Sequence, residues 1–217
     1  MPAGTVKHRV ENIEKEGARV CVTDMNYDDT VRFAAGEAQK NGWTIVQAGV
    51  GSMAAAVLGY YANQMNRDCP ATYILESDQA DCFYHSALAD DGKLRGVGGA
   101  LNTIMAGLAC GEANPFAWEI LRDFSQGFIS CSDGVAVRGM QLLAHPISGD
   151  SPIVSGESGA LGPGLVHCLM MDPKFSDLKE KMRLNRESSV LCFSTEGDTD
   201  PENYQQIIQQ IIQQSGA

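Results

Sequence analysis

Residues 47–60 read QAGVGSMAAAVLGY, a run of small residues leading from the apolar stretch TIVQ (44–47) into a helical pattern. A strand, a glycine turn and a helix start, in that order, make an anion site. The first N–H groups of a helix lack intrahelical acceptors, and the helix dipole adds partial positive charge there. Gly49 and Gly51 supply the turn, Ser52 offers a hydroxyl, and the alanines at 54–56 let the helix lie close against a sheet. The fold class expected from such a unit is α/β with a mainly parallel sheet and helices on both faces.

The flanking sequence repeats the alternation. Segments 6–17, 26–42, 53–65, 79–89, 115–124, 134–145 and 158–171 carry helical patterns, the last in spite of Pro163. The segment 26–42 has an acidic first turn and a glycine stop, both helix-end signals. Strands are predicted at ARVCVT (18–23), WTIVQ (43–47), ATYILES (71–77) and SSVLCFST (188–195), while TIMAGLACG (103–111) and GFISCSD (127–133) are the apolar runs that precede the helical segments 115–124 and 134–145. The segment 188–195 is uniformly apolar at its centre, the pattern of a strand covered on both faces. The isoleucine pairs of YQQIIQQIIQQ (204–214) predict a terminal amphipathic helix.

Composition narrows the partners. A net charge of −11 across 217 residues, with no basic stripe, argues against nucleic acid and anionic lipid. The N-terminus has no apolar core that would make a secretory signal, and no stretch is apolar enough to span a bilayer. Seven cysteines without a Cys-x-x-Cys pair fit reduced thiols in a cytoplasmic protein. His8, His85, His145 and His167 are scattered without ligand spacing, so no metal is expected.

Three readings of the loop compete on its own residues. GVGSMA (49–54) fits the dinucleotide fingerprint, with Glu76 near the place of a ribose-binding acid. A phosphate monoester such as pyridoxal phosphate (PLP) fits equally, as does a tight turn without ligand. The segment FSTEGDTD (193–200) favours PLP. It puts Ser194 and Thr195 at the expected C-terminal end of a strand, where α/β sheets bind ligands. A hydroxyl there can face a ring nitrogen and leave it largely unprotonated, which suits β-elimination; the plainer role for Ser194 is a helix cap.

Taken together, VTDMNYDDTVR (22–32), the loop, ESDQADC (76–82), TIMAGLACGEANPFAWEILRD (103–123), FISCSDGVAVRGM (128–140), IVSGESGALG (153–162) and STEGDTD (194–200) resemble the diaminopropionate ammonia-lyases. These belong to the tryptophan-synthase-β-like, fold type II, PLP enzymes. The resemblance implies that Gly49, Val50, Gly51, Ser52 and Met53 hold the PLP phosphate through backbone N–H groups. It also implies that Ser194, or in second place Thr195, faces the pyridine nitrogen. The activity it implies is α,β-elimination of 2,3-diaminopropionate, a small amino acid, to pyruvate and ammonia by a homodimer.

Two features depart from the family pattern. Its enzymes hold PLP as a Schiff base on a lysine in an Asn-x-x-Lys-like context. None of Lys7, Lys15, Lys40, Lys93, Lys174, Lys179 and Lys181 has that context, so no catalytic residue is assigned. TIVQ also runs straight into AGVG, where the family has a further segment with an active-site carboxylate. The resemblance therefore implies an incomplete fold type II architecture: residues 1–47 as a remnant of the small α/β domain, and 48–217 as the C-terminal half of the large PLP-binding domain. Such a chain is expected to be inactive alone, or to pair with an intact lyase subunit. A threonine- or serine-dehydratase-like enzyme, a non-catalytic partner subunit and a dinucleotide-binding protein are the alternatives. Cys82 and Cys110, beside segments expected near the active-site mouth, are expected to be two separate thiols rather than a redox pair.

Overall fold

The computed structural model describes residues 1–44, 50–65 and 69–209. Contacts divide the chain into two units, Met1–Cys131 and Ser132–Ala217.

The first unit opens with helices α1 (Lys7–Lys15) and α2 (Tyr27–Asn41). The Asn26 side chain accepts from the Asp29 N–H at 2.9 Å, and Gly42 ends α2 in the left-handed conformation. Both ends of α2 are thus fixed by residues the sequence displays. The stretch at 18–23 is not a strand. Its backbone meets the first residues of the chain through Thr23 N–H to the Met1 carbonyl at 2.9 Å, and just beyond it Ala3 N–H donates to the Met25 carbonyl at 2.8 Å. That partner is too short for a ladder. Of the strand expected at 43–47, residues 45–47 lie outside the described residues.

Helix α3 (Ser52–Met65) is followed by β1 (Tyr73–Ser77), α4 (Cys82–Leu88), α5 (Pro115–Phe124) and β2 (Gly127–Cys131). Strands β1 and β2 pair in parallel, from Tyr73 opposite Gly127 to Ser77 opposite Cys131. The expected α/β class with parallel pairing therefore holds, on a sheet of two strands among the described residues. The core beneath them joins Ala55 and Leu58 of α3 to Ile74, Cys82, Phe83, Ala117, Trp118 and Leu121. Phe83 stacks on Trp118 with centroids 6.0 Å apart, and Phe128 tilts against both rings. Burying large aromatic side chains makes this cluster a strong apolar contribution to the unit.

The second unit is built on α6 (Asp133–Ala144) and α7 (Glu157–Met171), with the short α8 (Ser176–Lys181) and the terminal α9 (Pro201–Gln209). Helix α7 buries one face, from Glu157 to Leu169, in keeping with its apolar pattern, and continues through Pro163. Helix α9 buries Tyr204 and Ile207, and the Gln141 side chain donates to the Ile207 carbonyl at 3.1 Å. The expected amphipathic helix is thus present to Gln209; the rest of its pattern lies outside the described residues.

The expected strand at 188–195 is absent. Val190, Leu191 and Phe193 are exposed in a segment without ladder bonds. A strand covered on both faces needs a hydrogen-bonding neighbour, and the described part of this unit contains no strand to provide one.

Candidate functional site

The loop before α3 is stitched to the start of α5. Val50 bridges Ala113 in parallel, and the Val50 carbonyl accepts from the Asn114 N–H at 3.2 Å. Gly51 has φ +81°, and a β-carbon built on it would lie 2.6 Å from the Phe83 ring. Only glycine combines that backbone with that contact. The first turn of α3 closes with Ala55 N–H to the Gly51 carbonyl at 2.8 Å. The amides of Ser52, Met53 and Ala54 precede that bond and meet no acceptor among the described residues. Ser52 is half-buried and Met53 exposed, so this helix start opens to solvent. Gly49, the first expected cradle residue, lies outside the described residues.

The second helix start is arranged differently. The Glu196 carboxylate accepts from Ser158 N–H at 2.9 Å, and the Glu196 carbonyl accepts from Gly156 N–H at 3.1 Å. The Asn203 side chain donates to the buried Glu157 carboxylate at 2.8 Å. The chain's own carboxylate thus already sits on the N-terminus of α7, where the dipole favours it. Among the described residues, no carboxylate sits in the same way on the start of α3.

Ser194 lies in an exposed segment, not at the end of a strand as expected, because residues 188–195 form none. Its hydroxyl donates to the hydroxyl of the fully buried Ser155 at 2.8 Å, and Ser155 leans on the Gly156 carbonyl at 3.4 Å. Thr195 is exposed. The structure brings Ser194 onto the first turn of α7 with Ser155 and Glu196, neither of which the sequence had marked.

Glu76 is not available to a ribose. Its carboxylate accepts from Phe83 N–H at 3.0 Å, Tyr84 N–H at 2.7 Å and the Cys82 thiol at 3.5 Å, fastening β1 to the start of α4. Burial pushes its carboxyl above the ordinary range, although the two amides pull the other way. The folded chain therefore holds a proton there at pH values where the unfolded chain has lost it. Stability contributed by this group falls as pH rises from the ordinary carboxyl value through the raised one. Glu76→Gln is expected to gain on the wild type over that interval, its melting temperature relative to wild type rising from about pH 4 upward. Thermal melts of both proteins at several pH values check this, and a constant difference would refute it.

Cys82 and Cys110 are both buried and free. Burial, with Glu76 beside it, pushes the Cys82 thiol far up. Burial, with Asp28 accepting from its Sγ at 3.2 Å, raises Cys110 to about 12. Both are protonated, unreactive thiols at neutral pH, in line with two separate thiols. None of the seven lysines is buried, and Lys7, Lys40 and Lys174 are spent in surface ion pairs. Among the described residues no three His, Cys, Asp or Glu side chains gather as a metal site, and no helix is long and apolar enough to cross a membrane.

Sequence reasoning missed Asn114. Its side-chain nitrogen donates to the Ser52 hydroxyl at 3.0 Å, while its oxygen accepts from Phe116 N–H at 2.9 Å. The Asn-Pro pair at 114–115 signals a helix cap with proline at N1, but not a contact 62 positions away.

Known proteins similar to this chain fall in one group. The diaminopropionate ammonia-lyase of Escherichia coli (strain K12) is 40% identical over 250 aligned residues, which cover 96% of this chain and 62% of the relative. That of Salmonella typhimurium (strain LT2) is 39% identical over 252, with the same coverage. The chain thus spans 62% of the length of these relatives, and the aligned length exceeds its own 217 residues, so the relatives carry positions with no counterpart here. The crystal structure of the Escherichia coli lyase in complex with D-serine superposes with a TM-score of 0.88 at 39% identity, over 96% of this chain and 62% of that one. Maize serine racemase shares the fold alone, with a TM-score of 0.56 at 18% identity over 75% of this chain and 56% of the racemase. The sequence pattern described as "Pyridoxal-phosphate dependent enzyme" matches residues 40–162, more than half of the chain and inclusive of the loop and the start of α7. This chain therefore belongs to the family of pyridoxal-phosphate dependent enzymes.

Proposed function

We propose that this chain supplies the phosphate cradle and ring-nitrogen contact of a PLP-dependent lyase that converts 2,3-diaminopropionate and water to pyruvate and two ammonia. Residues 1–47 read as the remnant of a small α/β domain, and residues 48–217 as the later half of the large PLP-binding domain. The observation that carries the proposal is the open start of α3 within a chain 40% identical to the lyase relative over 96% of its length.

The residues present fit the cofactor's anionic end. The amides of Ser52 and Met53 point their donors toward a phosphate, with Gly49 and Val50 extending the cradle and Gly51 keeping its floor free of a side chain. Ser194 is the better of the two hydroxyls for the pyridine nitrogen, since Ser155 already orients it. To donate to that nitrogen, Ser194 turns its proton away from Ser155, whose own hydroxyl then donates to it. A neutral hydroxyl in this place suits loss of a β-amino group. When bound, PLP supplies the electron sink that makes the substrate's α-proton removable.

The covalent and proton-moving lysine is not among this chain's seven. We therefore assign the chain cofactor binding without turnover alone, and pairing either as a homodimer or with an intact lyase subunit. Titration with PLP followed by ultraviolet-visible absorbance tests the reading. One equivalent is expected to bind saturably, borohydride is expected to fix none of it at that site, and diaminopropionate is expected to yield no pyruvate. Absence of saturable binding, or pyruvate release by the purified chain, would overturn it. Threonine and serine offered beside diaminopropionate to the mixture with an intact subunit separate the lyase from a dehydratase.

A further inference from the structure

The geometry points to Asn114 as a positioning residue that sets the Ser52 hydroxyl as a donor toward bound phosphate, an inference that rests on the PLP reading of the α3 start. A serine hydroxyl has one proton and two lone pairs. The Asn114 amide nitrogen carries only protons, so its 3.0 Å contact with Ser52 Oγ uses a serine lone pair. The single Ser52 proton is left to point elsewhere, and the open side of the loop is where an anion would meet it.

The amide cannot flip without loss. Its oxygen is held by Phe116 N–H at 2.9 Å as the N-cap of α5, which leaves the nitrogen facing Ser52. The backbone of the same residue is fixed too: its N–H donates to the Val50 carbonyl at 3.2 Å and its carbonyl accepts from Trp118 N–H at 3.0 Å. Trp118 is buried in the core with Phe83, the ring directly beneath Gly51. Asn114 therefore links the rigid core, the α5 cap and the loop in one set of bonds. A group whose polarity is fixed in advance does not have to be reoriented when the ligand arrives.

The test compares PLP with pyridoxal, which has the ring but no phosphate. Dissociation constants for both are measured on wild type, Asn114→Asp, Asn114→Ala, Ser52→Ala and the Ser52→Ala/Asn114→Ala pair, with thermal midpoints beside them. Aspartate keeps an oxygen for the α5 cap but draws the Ser52 proton to itself. Asn114→Asp is expected to hold its thermal midpoint, weaken PLP by about tenfold or more, and leave pyridoxal unchanged. The double variant is expected to bind PLP no more weakly than Ser52→Ala alone, because Asn114 acts through that hydroxyl. If Asn114→Asp binds PLP as wild type does, or the two alanine effects add, Asn114 is only a helix cap; the proposal falls and the phosphate cradle stands. If wild type binds PLP no better than pyridoxal, the cradle reading falls and this proposal with it.

Discussion

Gly51→Ala is expected to abolish saturable PLP binding and to lower the thermal midpoint by about 5–15 °C. Two costs combine. Gly51 sits at φ +81°, where an L side chain is strained by about 1–2 kcal/mol. The new methyl would also lie 2.6 Å from Cε2 and Cζ of Phe83 and 3.2 Å from Cδ1 of Leu121. Phe83 cannot step aside, because it is fully buried and packed between Trp118 and Phe128. Overpacking of this kind costs about 1–3 kcal/mol more. The loop relieves it by lifting off the core, which moves the Ser52 and Met53 amides off the phosphate position. Gly59→Ala in the same helix supplies the contrast. A β-carbon there would meet only Ile120 Cγ2 at 3.9 Å, an ordinary contact, so the substitution is expected to raise stability by up to about 1 kcal/mol through helix propensity. Thermal melts and PLP titration of the two variants check the pair. Equal behaviour would mean that the turn of the loop does not depend on glycine at 51.

What could be read in the sequence was what is local. The ends of α2 follow from Asn26 and Gly42, the start of α5 from Asn114 and Pro115, and the course of α7 from its run of small and apolar residues. The strands that formed, β1 and β2, are those with a parallel partner. Segments 18–23 and 188–195 have the composition of strands, but a strand exists only with its neighbour, and a composition does not contain the neighbour. Glu76 shows the same limit at the site. Its spacing after the glycine loop fits a ribose-binding acid, yet the turn at 78–81 brings the amides of Phe83 and Tyr84 back onto it. The glycines, serines and Met53 of the candidate site came from a motif; Asn114, Ser155 and Glu196 needed the fold, because each acts on a residue between 38 and 62 positions away.

Gly139→Ala is expected to destabilise the second unit by about 3 kcal/mol or more. Helices α6 and α7 touch backbone to backbone. A β-carbon on Gly139 would lie 1.9 Å from the Ala160 carbonyl oxygen and 3.0 Å from Gly164 N, and one on Gly164 would lie 2.0 Å from the Val135 carbonyl oxygen. Backbone atoms inside helices have no rotamer to change, so the helices must part by roughly 1.5 Å to restore normal contact distances. Parting them loosens Ala136 and Met140 against Ala160, Leu161 and Leu165, all buried, along the whole interface. It also shifts the first turn of α7, so the Ser155–Ser194 bond is expected to weaken with it. Gly134→Ala is the control, since its β-carbon would meet only Ser132 Oγ at 3.8 Å and little change is expected. Urea unfolding with amide exchange across α6 and α7 measures the effect. Once Gly139→Ala has forced the helices apart, Gly164→Ala finds the clash already relieved, so the double variant is expected to lose clearly less than the sum of the two. A fully additive pair would mean that the two glycines relieve separate contacts, and that α6 and α7 do not move as rigid bodies.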